Sequence, residues 1–454
     1  MAFRDLRAAL EWLERTGRLV DVDSELSPRH EIGAFLELAS KRERRAYRFG
    51  KVAGYAGPVV ANLVHDRSVL AAAMGVDQGQ LIGAFGQRLA RPLPPLLLDD
   101  GPVLERTVLQ IDLPALLPAL THYERDSGPF LTCGLVSIRN PDTGLVERSL
   151  CRMQLRGRDG LGLAFLTAPF YDLLPRFTEL AKAGTPPRVA VTLGFEPVTL
   201  LSATLGPQAG VDKLAMAGGV RGAPVDVLTA PFSQLDVPAR AEYLIEGVLQ
   251  VPGEYDGPMG ESSGYYQSNP VTPTLRVRRI SHRAEPVYQA LLPTGPETDT
   301  LLGLVIEAAL APGVRAKFPC VRRVAFSPGS FGASLVVSVA QAEATEVRRL
   351  LEHLLLVNRT KKVVVVADDV DPADLAAVEW SIVTRSQPDR DAVVRSGLPG
   401  HPIDPTCLPD RVTSRLGIDA TGFDHYQCEG PVTFEAEAWA KAESAFAATK
   451  GVST

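Results

Sequence analysis

Leu6, Leu10 and Leu13 fall at i, i+4 and i+7, one face of a helix that Gly17 is placed to stop. A short strand is predicted at 18–22, a second helix over 31–42 and a strand at 59–64, so the first hundred residues mix helix and strand. From about 130 to 290 the β-type runs dominate, at 131–139, 188–195, 225–228, 275–280 and 287–292, with glycine and proline between them. That pattern predicts an antiparallel, barrel-like sheet and not a nucleotide-binding βαβ unit. Beyond 300 the rhythm changes. Strand 334–340, helix 344–356, strand 362–367 and helix 372–384 form a βαβα run, with a right-handed crossover expected. An alanine-rich helix over 435–449 closes the pattern and is expected to dock on a neighbouring subunit.

Composition narrows the class. The 454 residues carry 45% apolar and 22% charged side chains, ordinary for a globular chain large enough for two or three cores. A net charge of −6 gives no basic footprint for nucleic acid or an anionic membrane. The longest apolar runs, such as 362–367, are far too short to cross a bilayer. The amphipathic opening is no apolar leader, and the five scattered cysteines form no C-x-x-C pair, so a reduced, cytoplasmic protein is expected. His401, Cys407, His425 and Cys428 match no common zinc spacing.

Candidate chemistry concentrates at Asp256-Gly-Pro-Met-Gly-Glu261, with Arg152 upstream. Carboxylates five apart do not share a helix face, where neighbours fall at three and four. A tight Gly/Pro loop can turn both toward one point, and a guanidinium between them would orient a substrate carboxylate while one acid moves a proton. A turn with both acids in water is the alternative that spacing alone leaves open. Gly260-Glu-Ser262-Ser-Gly264 fits the G-x-S-x-G nucleophile elbow, but an esterase using Ser262 needs a strand before it and a helix after it. Here a Gly/Pro loop precedes the serine and a β-rich run follows. Gly160, Gly162, Gly218 and Gly219 read as turns, and the acidic run 368–371 reads as helix capping.

Several segments, in order along the chain, resemble UbiD-type decarboxylases. They are DLRAAL (5–10) and GRLVDV (17–22), LTHYERDSGPF (120–130), and DGPMGE (256–261) with GYY (264–266). Lys361 ahead of VVVV (363–366), WSIVTR (380–385) with PDRD (388–391), and LGIDAT (416–421) continue the series. The resemblance implies an α/β (α+β) chain: an N-terminal α/β segment (1–115), a split β-barrel flavin-binding domain (116–300), a C-terminal α/β oligomerisation domain (301–430) and a tail (431–454). It implies reversible, non-oxidative decarboxylation of an α,β-unsaturated or aromatic acid with prenylated FMN, or FMN itself, in a homodimer or higher homo-oligomer. A flavin prenyltransferase would supply the cofactor. The family's catalytic Glu-Arg-Glu trio falls on Asp256, Arg152 and Glu261, the first acid shortened by a methylene. In that reading Arg152 holds the carboxylate by a two-point fork and Asp256 orients Arg152, its shorter reach loosening the grip or calling for a shifted loop. Two acids around one cation raise one carboxyl pKa, and Glu261 delivers the proton. Thr204, Leu205, Lys213 and Lys361 are implied at the cofactor together with Arg152.

One departure stands out. The positions where the family holds a divalent metal with Asn, His and Glu are Glu147, Phe170 and Lys213 here, and phenylalanine cannot bind Mn or Mg. Two expectations follow. Either Lys213, steadied by Glu147 and helped by Lys361, replaces the metal at the flavin phosphate, or the chain is a non-catalytic companion subunit or organic-acid-binding protein.

Overall fold

The computed structural model describes residues 3–166, 168–206, 210–357, 359–407, 411–422, 432 and 434–450. The opening helix runs Leu6–Arg15 and buries Leu6, Ala9, Leu10 and Leu13, with the Asp5 carboxylate accepting from the Ala8 amide as its cap. Strands Leu19–Val22, Ala46–Phe49 and Val59–Ala61 form a small sheet completed by Tyr288–Gln289. The predicted run 287–292 therefore shrinks to two residues that join the N-terminal sheet. Its neighbours Leu291 and Leu292 stay buried without strand pairing.

The centre of the molecule is a closed antiparallel ring. Its strand order is Tyr243–Gly260, Arg188–Leu193, Phe130–Arg139, Val146–Arg156, Gly160–Leu163 and Tyr266–His282, and the last pairs back with the first. Closure removes the unpaired edges an open sheet would expose. Inside lies the largest apolar core, including Leu131, Val136, Met153, Leu161, Val191, Ile245 and Leu275. The run 225–228 does not join this ring: strand Asp226–Thr229 belongs to a separate three-stranded sheet with Asp236–Pro238 and Leu96–Leu97.

Two glycine readings are corrected. Gly160 and Gly162 lie in a barrel strand, and Gly218 and Gly219 lie inside the helix Lys213–Arg221. A side chain at Gly219 would meet the Arg91 carbonyl oxygen at 2.5 Å, so glycine there lets helix and chain approach.

The C-terminal sheet has the order Val321–Phe326, Ser334–Val339, Lys362–Ala367, Val412–Ala420, Ala392–Pro399, with the central three strands parallel. Val363 and Val365 pack under helix Ala344–Leu355, whereas Val364 and Val366 pack under helix Leu375–Arg385. Burial on both faces explains an unbroken valine run in place of alternation. The acidic run before the second helix does less capping than expected: Asp369 pairs with Arg385 at 2.5 Å, and Asp374 caps the helix. The sequence pattern gives no sign of the 22-residue helix Pro296–Lys317, because Glu297, Gly303 and Glu307 interrupt its buried face. The tail helix Ala436–Lys450 leaves Trp439 exposed. Among the described residues no helix is long and apolar enough to cross a membrane.

Candidate active site

Arg152 sits on strand Val146–Arg156, one barrel wall, and Asp256 on strand Tyr243–Gly260. Asp256 is thus part of a long irregular hairpin, not of the free loop the sequence suggested. Register shifts on both sides of Asp256 bend that hairpin. Gly257, at φ +98°, would carry a Cβ only 2.6 Å from the Gln267 carbonyl, so glycine is required there. Glu261 opens the turn that follows, its amide bonded to the Tyr265 carbonyl at 3.0 Å.

The three side chains meet. Arg152 Nη2 donates to Asp256 Oδ2 at 2.6 Å, and Arg152 Nη1 pairs with Glu261 Oε1. Asn269 Nδ2 donates to the same Asp256 oxygen at 3.0 Å. The shorter acid therefore reaches the guanidinium without a gap. Side-chain exposure is 0% for Asp256, 8% for Arg152 and 17% for Glu261, so Glu261 is the member open to a ligand. Burial works against the Arg152 charge, yet Glu261 and Asp256 outweigh it and its pKa is raised. Asp256 Oδ1 and Arg152 Nε are buried without a hydrogen-bond partner.

Asp126, inside the segment 120–130, locks this geometry, a role the sequence did not disclose. Its carboxylate accepts from the amides of His122 and Tyr123, both at 3.0 Å, and from Gly260 at 2.8 Å. Ser127 adds a bond from its amide to the Pro258 carbonyl at 2.8 Å. The signal was available: an acid four residues after Thr-His in a turn-forming stretch can cap backbone amides.

Arg152 and Glu261 line a cavity of about 280 Å³ between the barrel and the C-terminal domain, and Asp256 lies behind them. Its barrel side presents Leu150, Cys151, Ala164 and Met259, and its far side Arg359, His401, Pro402 and Ile403. A mostly apolar slot with a few convergent charges suits a planar ring system beside a carboxylic acid. Ser262 also lines it, but the serine lies in a strand-to-strand turn, and no histidine bonds to it among the described residues. The nucleophile elbow is absent, and the esterase reading fails on that geometry.

Of the three metal positions only Glu147 carries an oxygen ligand, and a single carboxylate makes no Mn or Mg site. Phe170 is buried, its ring 4.6 Å from that of Phe165. Glu147 accepts from Asn140 Nδ2 at 3.3 Å. Lys213 is buried, and its Nζ donates to the Ala203 carbonyl at 3.0 Å, with no carboxylate within ion-pairing distance among the described residues. Burial pulls the Lys213 pKa down to about 8, with Cys151 and Glu147 opposing the shift. No cluster of metal-ligating side chains occurs among the described residues. Thr204 and Leu205 end the helix Pro197–Ala203 beside Lys213, with the Thr204 hydroxyl bonded to the Leu201 carbonyl at 2.7 Å; neither lines the cavity. Lys361 meets a different arrangement from the expected one: its Nζ bonds both Asp404 oxygens, at 2.8 and 2.6 Å, and it lines a small adjacent cleft. Of the dismissed zinc set, His425 and Cys428 lie outside the described residues.

A closed barrel, a C-terminal α/β layer and an arginine between two acids at their junction define the carboxy-lyase class, and comparison with known proteins agrees. Three profiles of 3-octaprenyl-4-hydroxybenzoate carboxy-lyase match in succession: the N-terminal domain over 10–89, the Rift-related domain over 97–296 and the C-terminal domain over 299–420. The chain belongs to the UbiD family. It is 30% identical over 443 residues to a phenolic acid decarboxylase of Streptomyces sp. (strain D7), covering 93% of this chain and 92% of that one. The UbiD-class enzyme HmfF of Pelotomaculum thermopropionicum, solved in complex with FMN, superposes with a TM-score of 0.90 at 32% identity, covering 96% of this chain and 98% of that one. An evolved dimeric form of HmfF in complex with prFMN gives 0.84 at 30% identity, covering 96% and 100%.

Proposed function

We propose that the protein is a prenylated-FMN-dependent decarboxylase of an α,β-unsaturated or aromatic carboxylic acid, with a lysine where its family uses a metal ion. The observation that carries this reading is Arg152 held between Asp256 and Glu261 at the mouth of an apolar cavity. When bound, the prenylated flavin supplies an electron sink for the pair released as CO2 departs. Arg152 binds the substrate carboxylate by a two-point fork, and the Asp256–Asn269 contact fixes the plane of its guanidinium. Glu261, the most exposed member, moves the proton to the carbon that loses CO2, and in the reverse direction removes it. The apolar wall excludes water from the carbon being protonated.

Lys213, a buried cation without a carboxylate partner, serves as counter-ion to the flavin phosphate in place of a divalent metal. Lys361 stays with Asp404, and Thr204 and Leu205 shape the backbone around Lys213. Plain FMN is an alternative occupant. A flavin prenyltransferase supplies the cofactor in the cytoplasm, and exposed Phe434 and Trp439 near the tail supply apolar surface for a homo-oligomer. The changed metal positions favour a second reading, a companion subunit that binds an organic acid without converting it. Co-expression with a flavin prenyltransferase separates the two, because only the enzyme purifies with flavin absorbance. The role of Glu261 is tested by Glu261→Gln, expected to lower turnover by roughly 10²–10⁴-fold with flavin content unchanged. Wild-type turnover in that variant refutes the assignment.

A further inference from the structure

The cavity holds a second guanidinium, and the trio does not use it. Arg359 comes from the C-terminal domain, between helix Ala344–Leu355 and strand Lys362–Ala367. Its backbone is held at φ +74°, a left-handed conformation that non-glycine residues seldom adopt and that concentrates at ligand-contacting positions. Its Nε donates to the Phe331 carbonyl at 3.1 Å, and Gly332 passes beneath, where an added Cβ would lie 3.0 Å from Nε. The arm is therefore fixed while the outer guanidinium nitrogens have no partner among the described residues.

Three buried arginines of the chain have partners on both outer guanidinium nitrogens. Arg148 meets Asp212 at 2.8 Å, Arg283 meets Glu242 at 2.9 Å, and Arg415 donates to the carbonyls of Leu355, Val357 and Pro399. Of these only Arg359 lines the larger cavity shared with Arg152 and Glu261, with Glu261 as its charged neighbour and His401 beside it. Burial, then Arg359, holds the His401 imidazole down to about 4, so it stays neutral and leaves the guanidinium as the cation of that wall.

We infer that Arg359 binds a second carboxylate on the substrate, opposite the carboxylate held by Arg152, so that the preferred substrates are aromatic or unsaturated diacids. This rests on the decarboxylase reading above and narrows its substrate class. An oxyanion at Arg359 has two possible sources, a distal substrate carboxylate or the flavin phosphate. The first is favoured because Arg359 lines the same cavity as Arg152 and Glu261, whereas Lys213, the cation assigned to the phosphate, does not line it.

Calorimetric titration of flavin-loaded protein with matched pairs, terephthalate against benzoate and muconate against sorbate, tests it. Wild-type protein is expected to bind each diacid at least tenfold tighter than its monoacid. Arg359→Met should bring the diacid to the monoacid level, with monoacid binding and flavin content unchanged, and Arg359→Lys should recover part of the preference. Equal binding of both acids by wild type, or an undiminished preference in Arg359→Met, overturns the inference. Loss of flavin from Arg359→Met assigns the residue to the phosphate and overturns it as well. If neither class of acid binds wild type, the decarboxylase reading itself falls. Thermal unfolding of both variants separates a misfolded protein from a lost subsite, and Arg359→Lys carries the test if the methionine variant unfolds.

Discussion

Two buried cations, Arg152 on a barrel strand and Lys213 at the start of a helix, are treated oppositely by the fold. Arg152 is enclosed by two carboxylates from a neighbouring hairpin, whereas Lys213 has only the Ala203 carbonyl. The first corner is electrostatically complete, even over-compensated, before any ligand arrives. The second is a charge that the chain has desolvated and left unpaired, which a protein tolerates only where something supplies the missing anion. The contrast separates a group built to orient a reaction from one built to hold a cofactor.

Breaking the first corner should have the largest effect. Arg152→Met leaves Asp256 buried beside no cation, and removing one partner of a buried ion pair costs about 3–5 kcal/mol. Chemical denaturation should show a loss of that order together with abolished turnover, and a variant as stable as wild type would mean that Asp256 is not charged against Arg152.

The second corner should respond with the opposite sign. Lys213 titrates near 8 in the folded apoprotein, below its ordinary 10.5, so between those values the unfolded chain binds the extra proton. Apoprotein stability therefore rises as pH climbs from about 8 to 10.5, and the penalty is fully present below 8. Lys213→Met removes a penalty of about 3 kcal/mol and one hydrogen bond worth about 1 kcal/mol, so at pH 7 the apoprotein should gain roughly 2 kcal/mol while losing flavin. Binding runs the other way: an anion needs the ammonium, so flavin affinity in wild type should fall as pH rises above about 8. A pH-independent affinity would remove Lys213 from the phosphate.

The sequence disclosed these corners unevenly. Helix 6–15 and the C-terminal βαβα run were legible because their apolar periods match their burial, as with Leu6, Leu10, Leu13 and the doubly buried valines. The strand that carries Arg152 was not, because its buried positions include Arg148, paired with Asp212, so charge masks the pattern. The strand that carries Asp256 reads as a loop because Pro252, Gly253, Gly257 and Pro258 lie within it, yet bulges accommodate them. The residues alone offered the trio beside a turn with both acids in water, and the family resemblance chose between them, since its members converge only through pairing of strands a hundred residues apart. Arg359 carried no signal, for a lone arginine after a helix looks like any surface residue until the cavity is seen.

The most direct measurement is metal and flavin content of the protein purified after co-expression with a flavin prenyltransferase, read by inductively coupled plasma mass spectrometry and absorbance on one active sample. The account expects stoichiometric flavin with Mn and Mg far below one per chain. Stoichiometric metal at the flavin phosphate, or active protein without flavin, would contradict it.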